Sequence, residues 1–177
     1  MTTTDSTGLE SVALRDLVAA DLSSYLDDLR HLVDIDCGSY TPEGVNEVAR
    51  WVASFLSGLG ADIDIRPDPE GRFGNTVVGT FRGRPGGVRL LLIGHMDTVF
   101  DPGTVAQRPF RIDGDTAYGP GVTDMKSGLL AGLYALKAIT AEVGGVPFER
   151  LTFIANPDEE IGSPSSAVHI REFAADV

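Results

Sequence analysis

One cysteine, Cys37, stands in a chain of 177 residues. No intrachain disulfide can form and no thiolate metal site can be assembled. Cys37 therefore reads as a buried spectator, since a nucleophilic thiol needs a base beside it. Long apolar runs are missing as well. No stretch approaches the ~20 residues of a membrane-spanning helix. Met1 to Glu10 holds no basic segment followed by an apolar run, so no secretory signal is expected. Basic residues are few: 14 Lys and Arg against 26 Asp and Glu leave a formal charge of −12. A field of that sign repels DNA and RNA, which excludes nucleic acid as a partner. Among the glycines, neither G-x-G-x-x-G nor G-x-x-x-x-G-K-[ST] stands between a strand and a helix, which argues against nucleotide binding. Ser163, Ser165 and Ser166 lie in no G-x-S-x-G elbow, which makes a serine hydrolase a poor reading. These absences leave a soluble, cytoplasmic protein of one domain, in which 42% hydrophobic residues can fill a core.

Periodicity lays out the elements. Residues up to about Gly8 are Thr- and Ser-rich and read as disordered, and residues 1–20 as a flexible N-terminus and the start of a first helix. From Asp21, the spacing of Leu22, Leu26, Leu29, Leu32 and Val33 predicts an amphipathic helix. Thr41-Pro42 predicts the start of a second, with Thr41 as N-cap, and Gly60 its end. Trp51 reads as packing, and His31 and His169 as surface residues. Ala61 to Arg66 alternates like a half-exposed edge strand, and Asn75 to Phe81 predicts another. Asp113-Gly114 predicts the turn of a hairpin between Phe110 and Tyr118. An apolar helix follows Lys126, Leu151 to Ala155 predicts a buried strand, and Ser163-Pro164 opens a last helix. Helices and strands interleaved in this way define an α/β fold.

Val88 to Ile93 is nearly continuous apolar sequence and predicts a central strand covered on both faces. It delivers His95 and Asp97 at its carboxyl end, where catalytic groups gather in open α/β sheets. A carboxylate two residues on can hold a metal-bound imidazole in one tautomer. Two more polar clusters follow: Asp124 in the loop from Gly119 to Lys126, and Glu159-Glu160 after the strand Leu151 to Ala155. Two adjacent carboxylates after a buried strand need a counter-ion, and a divalent metal is the natural one. Each cluster alone is more simply a solvated turn; three in this order favour a metal site.

The runs Gly94-His95-Met96-Asp97-Thr98, Tyr118-Gly119-Pro120-Gly121-Val122-Thr123-Asp124-Met125-Lys126-Ser127-Gly128 and Asn156-Pro157-Asp158-Glu159-Glu160-Ile161-Gly162-Ser163 resemble those of the co-catalytic zinc metallopeptidases. That family includes glutamate carboxypeptidase, acetylornithine deacetylase, succinyl-diaminopimelate desuccinylase and aminoacylase. The hairpin Pro109 to Asp115 looks most like the glutamate carboxypeptidase branch. The resemblance implies a three-layer, zinc-exopeptidase-like α/β domain with a mostly parallel central sheet. It implies two zinc ions, with cobalt or manganese as substitutes. His95 would bind one, Glu160 the other, and Asp124 would bridge both through a cis-type peptide to Met125. Asp97 would hold His95, and Glu159 would be the general base of an amide-bond hydrolysis.

Relatives add one acidic and one histidine ligand, and a lid domain, in sequence that lies beyond Val177; Asp176 follows Glu160 too closely to serve. The resemblance thus implies that residues 21–177 are the N-terminal part of the catalytic domain. Alone, the chain is expected to bind metal weakly and to turn over little or no substrate. The substrate class implied is an N-acyl amino acid or a short peptide with a C-terminal carboxylate, with neither nucleic acid nor membrane as partner and a homodimer open for the full-length protein. The competing expectation is a non-catalytic binding module or remnant. Retention of Asp97 and Glu159, neither of them a direct ligand in relatives, speaks against it.

Overall fold

The computed structural model describes residues 11–177, and the segment expected to be disordered falls outside them. In chain order the elements are α1 (Ser11–Ala20), α2 (Leu22–Val33), α3 (Pro42–Gly58), β1 (Asp62–Arg66), β2 (Thr76–Arg82), β3 (Arg89–His95), α4 (Thr104–Gln107), β4 (Arg111–Asp113), β5 (Thr116–Tyr118), α5 (Ser127–Val143), β6 (Arg150–Asn156) and α6 (Ala167–Ala174). A π-type turn, Val122–Lys126, leads into α5, and a 3-10 turn, Glu159–Ile161, follows β6.

The main sheet has the order β1-β2-β6-β3. The α/β class holds, and the sheet is mixed: β3 and β6 run parallel, whereas β1–β2 and β2–β6 are antiparallel. Paired positions such as Gly79 and Phe153 share a face. On that face α3 and α5 lie side by side, joined where Phe55 and Tyr134 meet at 5.5 Å between ring centroids. The approach is close, because a Cβ on Gly79 would come within 2.8 Å of Leu56 Cδ1. Leu32, Leu56, Leu130 and Leu133 are fully buried there, each contributing roughly 1.5–3 kcal/mol by leaving water. The opposite face carries Val78, Thr152 and Ile154, all buried. There α6 is tied to β1 by the Arg66–Glu172 ion pair and by the Arg66 guanidinium over Phe173. Helices on both faces make three layers.

Among the described residues β2 and β6 are the interior strands, and β3, expected in the interior, lies outermost next to β6. Leu151 to Asn156 are all buried, while Leu92 and Ile93 on β3 are 37% and 46% exposed. β3 is the sheet edge among the described residues, paired on one side only. An apolar run reports a preference for burial, but strand order is set by long-range pairing that composition does not encode. β1 is the expected edge strand, and the hairpin β4–β5 turns at Asp113-Gly114 with Gly114 at φ +57°.

Two helix boundaries depart from expectation. Thr41 precedes α3 but its side chain makes no capping bond; its backbone oxygen takes the N–H of Val45 instead. α6 begins at Ala167 rather than at Ser163. Ser163 has φ +56°, which no helix accommodates, and buried Asp158 accepts the N–H groups of Ser165 and Ser166 and the Ser166 hydroxyl. A carboxylate at that point ends the turn and starts the helix later.

Candidate metal centre

Parallel pairing brings two of the three polar clusters together. β3 and β6 finish in register, His95 opposite Asn156, and the Met96 N–H continues the ladder to the Asn156 oxygen at 2.9 Å. The loops leaving the two strands therefore emerge side by side at the carboxyl edge of the sheet.

The third cluster comes from the loop before α5. Gly121 opens it at φ +72°, where a Cβ would also lie 2.6 Å from Thr98 Cγ2. The Asp124–Met125 peptide is cis, as the family resemblance implies. Lys126, 1% exposed, donates to the backbone oxygens of Leu32 and Ile35 at 2.7 and 3.1 Å. A buried ammonium is costly unless paired. Here it meets carbonyls at the end of α2, the negative end of the helix dipole. Lys126 thereby pins the Asp124 loop against α2, and the His95 N–H donates to Met125 Sδ at 3.3 Å.

These constraints place the imidazole between carboxylates. His95 Nε2 lies 3.0 Å from Asp124 Oδ1 and 3.8 Å from Glu159 Oε2. His95 Nδ1 lies 3.0 Å from the Asp97 backbone oxygen and 3.3 Å from Asp97 Oδ1. Donor atoms of His95, Asp124 and Glu160 all lie within 4.8 Å of one another. One imidazole and two carboxylates suit a borderline or hard divalent cation, so the residues present fit the metal that the resemblance implies.

Asp97 is the hub of the loops. It is fully buried. Its carboxylate accepts the Ser39 hydroxyl at 2.6 Å and the backbone N–H groups of Glu159 and Glu160 at 3.1 and 3.2 Å. Burial pushes its pKa up, but the bonds from His95 and Ser39 outweigh that and hold it below the usual carboxylate value. For His95, burial favours the neutral ring, while the bonds to Asp97 and Asp124 win and lift the imidazole to about 9. Glu160 is raised by burial first and then by the charge of Asp124.

The five residues singled out in the sequence, His95, Asp97, Asp124, Glu159 and Glu160, thus meet in one place. Cys37 donates to the Met96 oxygen at 3.2 Å, and Trp51 packs against Phe55. His31 is exposed, and His169 faces Arg66 across the β1–α6 contact rather than solvent alone. Ser39, Lys126 and Asp158 went unassigned in the sequence reading. Ser39 reaches Asp97 across 58 residues of chain through the Gly38–Thr98 bridge, a pairing with no local signal. Replacing Ser39 with alanine leaves the buried Asp97 carboxylate short of its closest donor. It is expected to cost about 1–2 kcal/mol, read by urea denaturation; unchanged stability would show that the bond contributes nothing.

Residues 91–176 match the profile described as Peptidase family M20/M25/M40. Carboxypeptidase G2 of Pseudomonas sp. (strain RS-16) is 38% identical over 146 residues, which are 82% of this chain and 35% of that protein. Acetylornithine deacetylase of Proteus mirabilis (strain HI4320) is 37% identical over 134 residues, 74% of this chain and 31% of that protein. The chain therefore spans about a third of the length of the curated relatives it matches. Human carnosine dipeptidase 1 shares the fold with a TM-score of 0.77 at 19% identity, over 90% of this chain and 37% of that one. The M20 family metallo-carboxypeptidase Sso-CP2 from Sulfolobus solfataricus superposes with a TM-score of 0.68 at 22% identity, over 84% of this chain and 34% of that one. Residues 91–176, the stretch similar to peptidase family M20/M25/M40, carry all three motifs.

Proposed function

We propose that this chain carries the catalytic centre of a metal-dependent hydrolase that cleaves an amide bond. The substrate is an N-acyl amino acid or a short peptide with a C-terminal carboxylate. One observation carries the reading: donor atoms of His95, Asp124 and Glu160 lie within 4.8 Å of one another. Glu159 stands beside them without joining the set, 3.8 Å from His95 Nε2. A chain related to a carboxypeptidase and to a deacetylase fits that chemistry.

The roles follow from position. His95 and Glu160 would hold a metal ion each and Asp124, with two carboxylate oxygens, would serve both; zinc suits the donors, and cobalt or manganese could replace it. The pair of ions supplies, when bound, a water acidic enough to attack and a Lewis acid for the scissile carbonyl. Asp97 keeps the His95 ring oriented through Nδ1 and leaves Nε2 turned to the centre. Glu159 accepts the proton of the attacking water and passes it to the departing amine nitrogen. Its backbone N–H is fixed on Asp97, which aims the side chain while leaving the carboxylate exposed. Residues 21–177 would form the N-terminal part of this catalytic domain in a cytoplasmic protein. Among the described residues no helix is long and apolar enough to cross a membrane.

Metal affinity against pH tests the reading on the chain itself. On the metal-free chain His95 keeps its proton up to about pH 9, and binding a cation through the ring must release it. Zinc affinity is therefore expected to rise about tenfold per pH unit from roughly pH 7 until it levels off near that value. Calorimetry in buffers of different ionisation heat counts the proton released. Affinity independent of pH, or zinc binding that survives His95→Ala, would overturn the proposal.

A further inference from the structure

No residue of α6 is buried. A helix that hides so little of itself is not held by a core, and the contacts that fix it are polar. Three of its side chains, His169, Glu172 and Phe173, stand at i, i+3 and i+4 and so share one face. All three meet a single guanidinium, that of Arg66 on β1. Glu172 accepts from Nη1 and Nη2 at 2.5 and 3.2 Å. The Phe173 ring centroid lies 4.9 Å from the guanidinium carbon, and Arg66 Nη1 stands 3.1 Å from His169 Nδ1. Beyond this clamp, Asp158 holds Ser165 and Ser166 ahead of the helix, and Asp176 pairs with Arg89 and Arg150 behind it. Elements attached by a few polar contacts open locally before the rest of a fold does.

One contact of the clamp depends on a proton. A guanidinium has only donors, so His169 Nδ1 must accept from Arg66, and the neutral ring carries its hydrogen on Nε2. A protonated imidazole has no acceptor left and sets a second positive charge beside the first. The charged groups that face the ring are Arg66 and Asp64 from β1, Glu172 from α6 itself and Asp158 from the turn before it. The three carboxylates favour the proton, yet Asp64 and Glu172 are already paired with Arg66, and Asp158 with the serines. Burial first and the Arg66 charge second oppose the proton and prevail, holding the ring below its ordinary value of 6.5.

We propose that His169 is a pH-sensitive latch for α6: neutral, it completes the clamp on Arg66, and protonated, it leaves the clamp and frees the helix. The sign follows from linkage. A histidine whose folded value is depressed contributes fully above its unfolded value, and the contribution is lost as pH falls through the folded one. The next residue, Ile170, walls a cavity of about 520 Å³ together with His95, Asp124 and Glu159. The latch thus reaches one wall of the candidate metal centre, although it stands whether or not the hydrolase reading does.

The test follows the metal-free chain by NMR from about pH 8 to about pH 5, the range in which an imidazole changes charge. His95, lifted to about 9, keeps its proton over most of that range. The ring signals of His169 are expected to titrate below 6.5. Amide exchange in residues 167–174, corrected for the intrinsic rate, should be about tenfold faster at the acid end, the worth of one hydrogen bond to a charged group. His169→Gln keeps an acceptor for Arg66 and has no proton to gain, so its helix should exchange at one corrected rate throughout. Arg66→Gln should raise the titration of His169 and leave α6 loose at every pH. The amide signals of β2 and β6 report whether each variant keeps the rest of the fold. His169 titrating at or above 6.5 would overturn the proposal, as would acid loosening of α6 that persists in His169→Gln.

Discussion

In a polypeptide that carries this chain and hydrolyses an N-acyl amino acid, Glu159→Gln is expected to lower kcat by about 10²–10⁴-fold with bound metal unchanged. The amide has the shape of the carboxylate but cannot take a proton from water. The fold should be indifferent to the exchange, because the Glu159 side chain is exposed and what the fold uses is its backbone N–H, donated to Asp97. Metal content should also be indifferent, since the donor set is His95, Asp124 and Glu160. Glu160→Gln is the contrast, in which metal and turnover fall together. Steady-state kinetics with metal analysis separates the two. Turnover within about tenfold of the parent, or metal lost to the same extent as in Glu160→Gln, would remove Glu159 from the role of general base.

Asp97→Ala should act on the whole centre. The carboxylate is fully buried and accepts from Ser39, from the backbone of Glu159 and of Glu160, and from His95. Its removal leaves the Ser39 hydroxyl and two backbone N–H groups without that acceptor and takes from the raised imidazole one of the carboxylates beside it. Breaking a buried charged pair in this way costs about 3–5 kcal/mol of stability. Losing the group that orients a metal-binding histidine weakens metal affinity about 10–100-fold. Thermal unfolding reads the first and zinc titration the second. The sign with pH follows from the direction of the shift. The folded pKa of Asp97 is lowered, so its contribution is present above the unfolded value and is lost as pH falls through the folded one. The parent should lose stability on acidification faster than the variant. A variant with the parent's melting temperature and zinc affinity would show that Asp97 does not organise the site.

Much of the fold and the five residues of the candidate site were legible in the sequence, for a local reason. His95 with Asp97, Asp124, and Glu159 with Glu160 each stand at the end of an apolar run or in a glycine-framed loop, and such patterns are read over a few residues. The edge position of β1, the hairpin at Asp113-Gly114 and the buried α5 are of the same kind. What stayed hidden needed partners far along the chain. Ser39 carries no mark of its own; its hydroxyl matters because a bridge between Gly38 and Thr98 sets it on Asp97. Lys126 reads as an ordinary charge until it is seen inside the core on the carbonyls of α2. Asp158 reads as a third solvated acid beside Glu159, yet it is buried and starts α6.

The sequence by itself determined most of the elements and the donor groups that the three clusters offer, because residue type and spacing decide those within a single turn or strand. The tertiary structure alone decided that β3 pairs in parallel with β6 while β2 pairs antiparallel on its other side, because strand order depends on pairing across more than fifty residues. It also decided that three loops converge on one imidazole and that a single buried carboxylate ties two of them together. Each of these is a relation between distant residues, and only the folded chain brings them within a few ångströms.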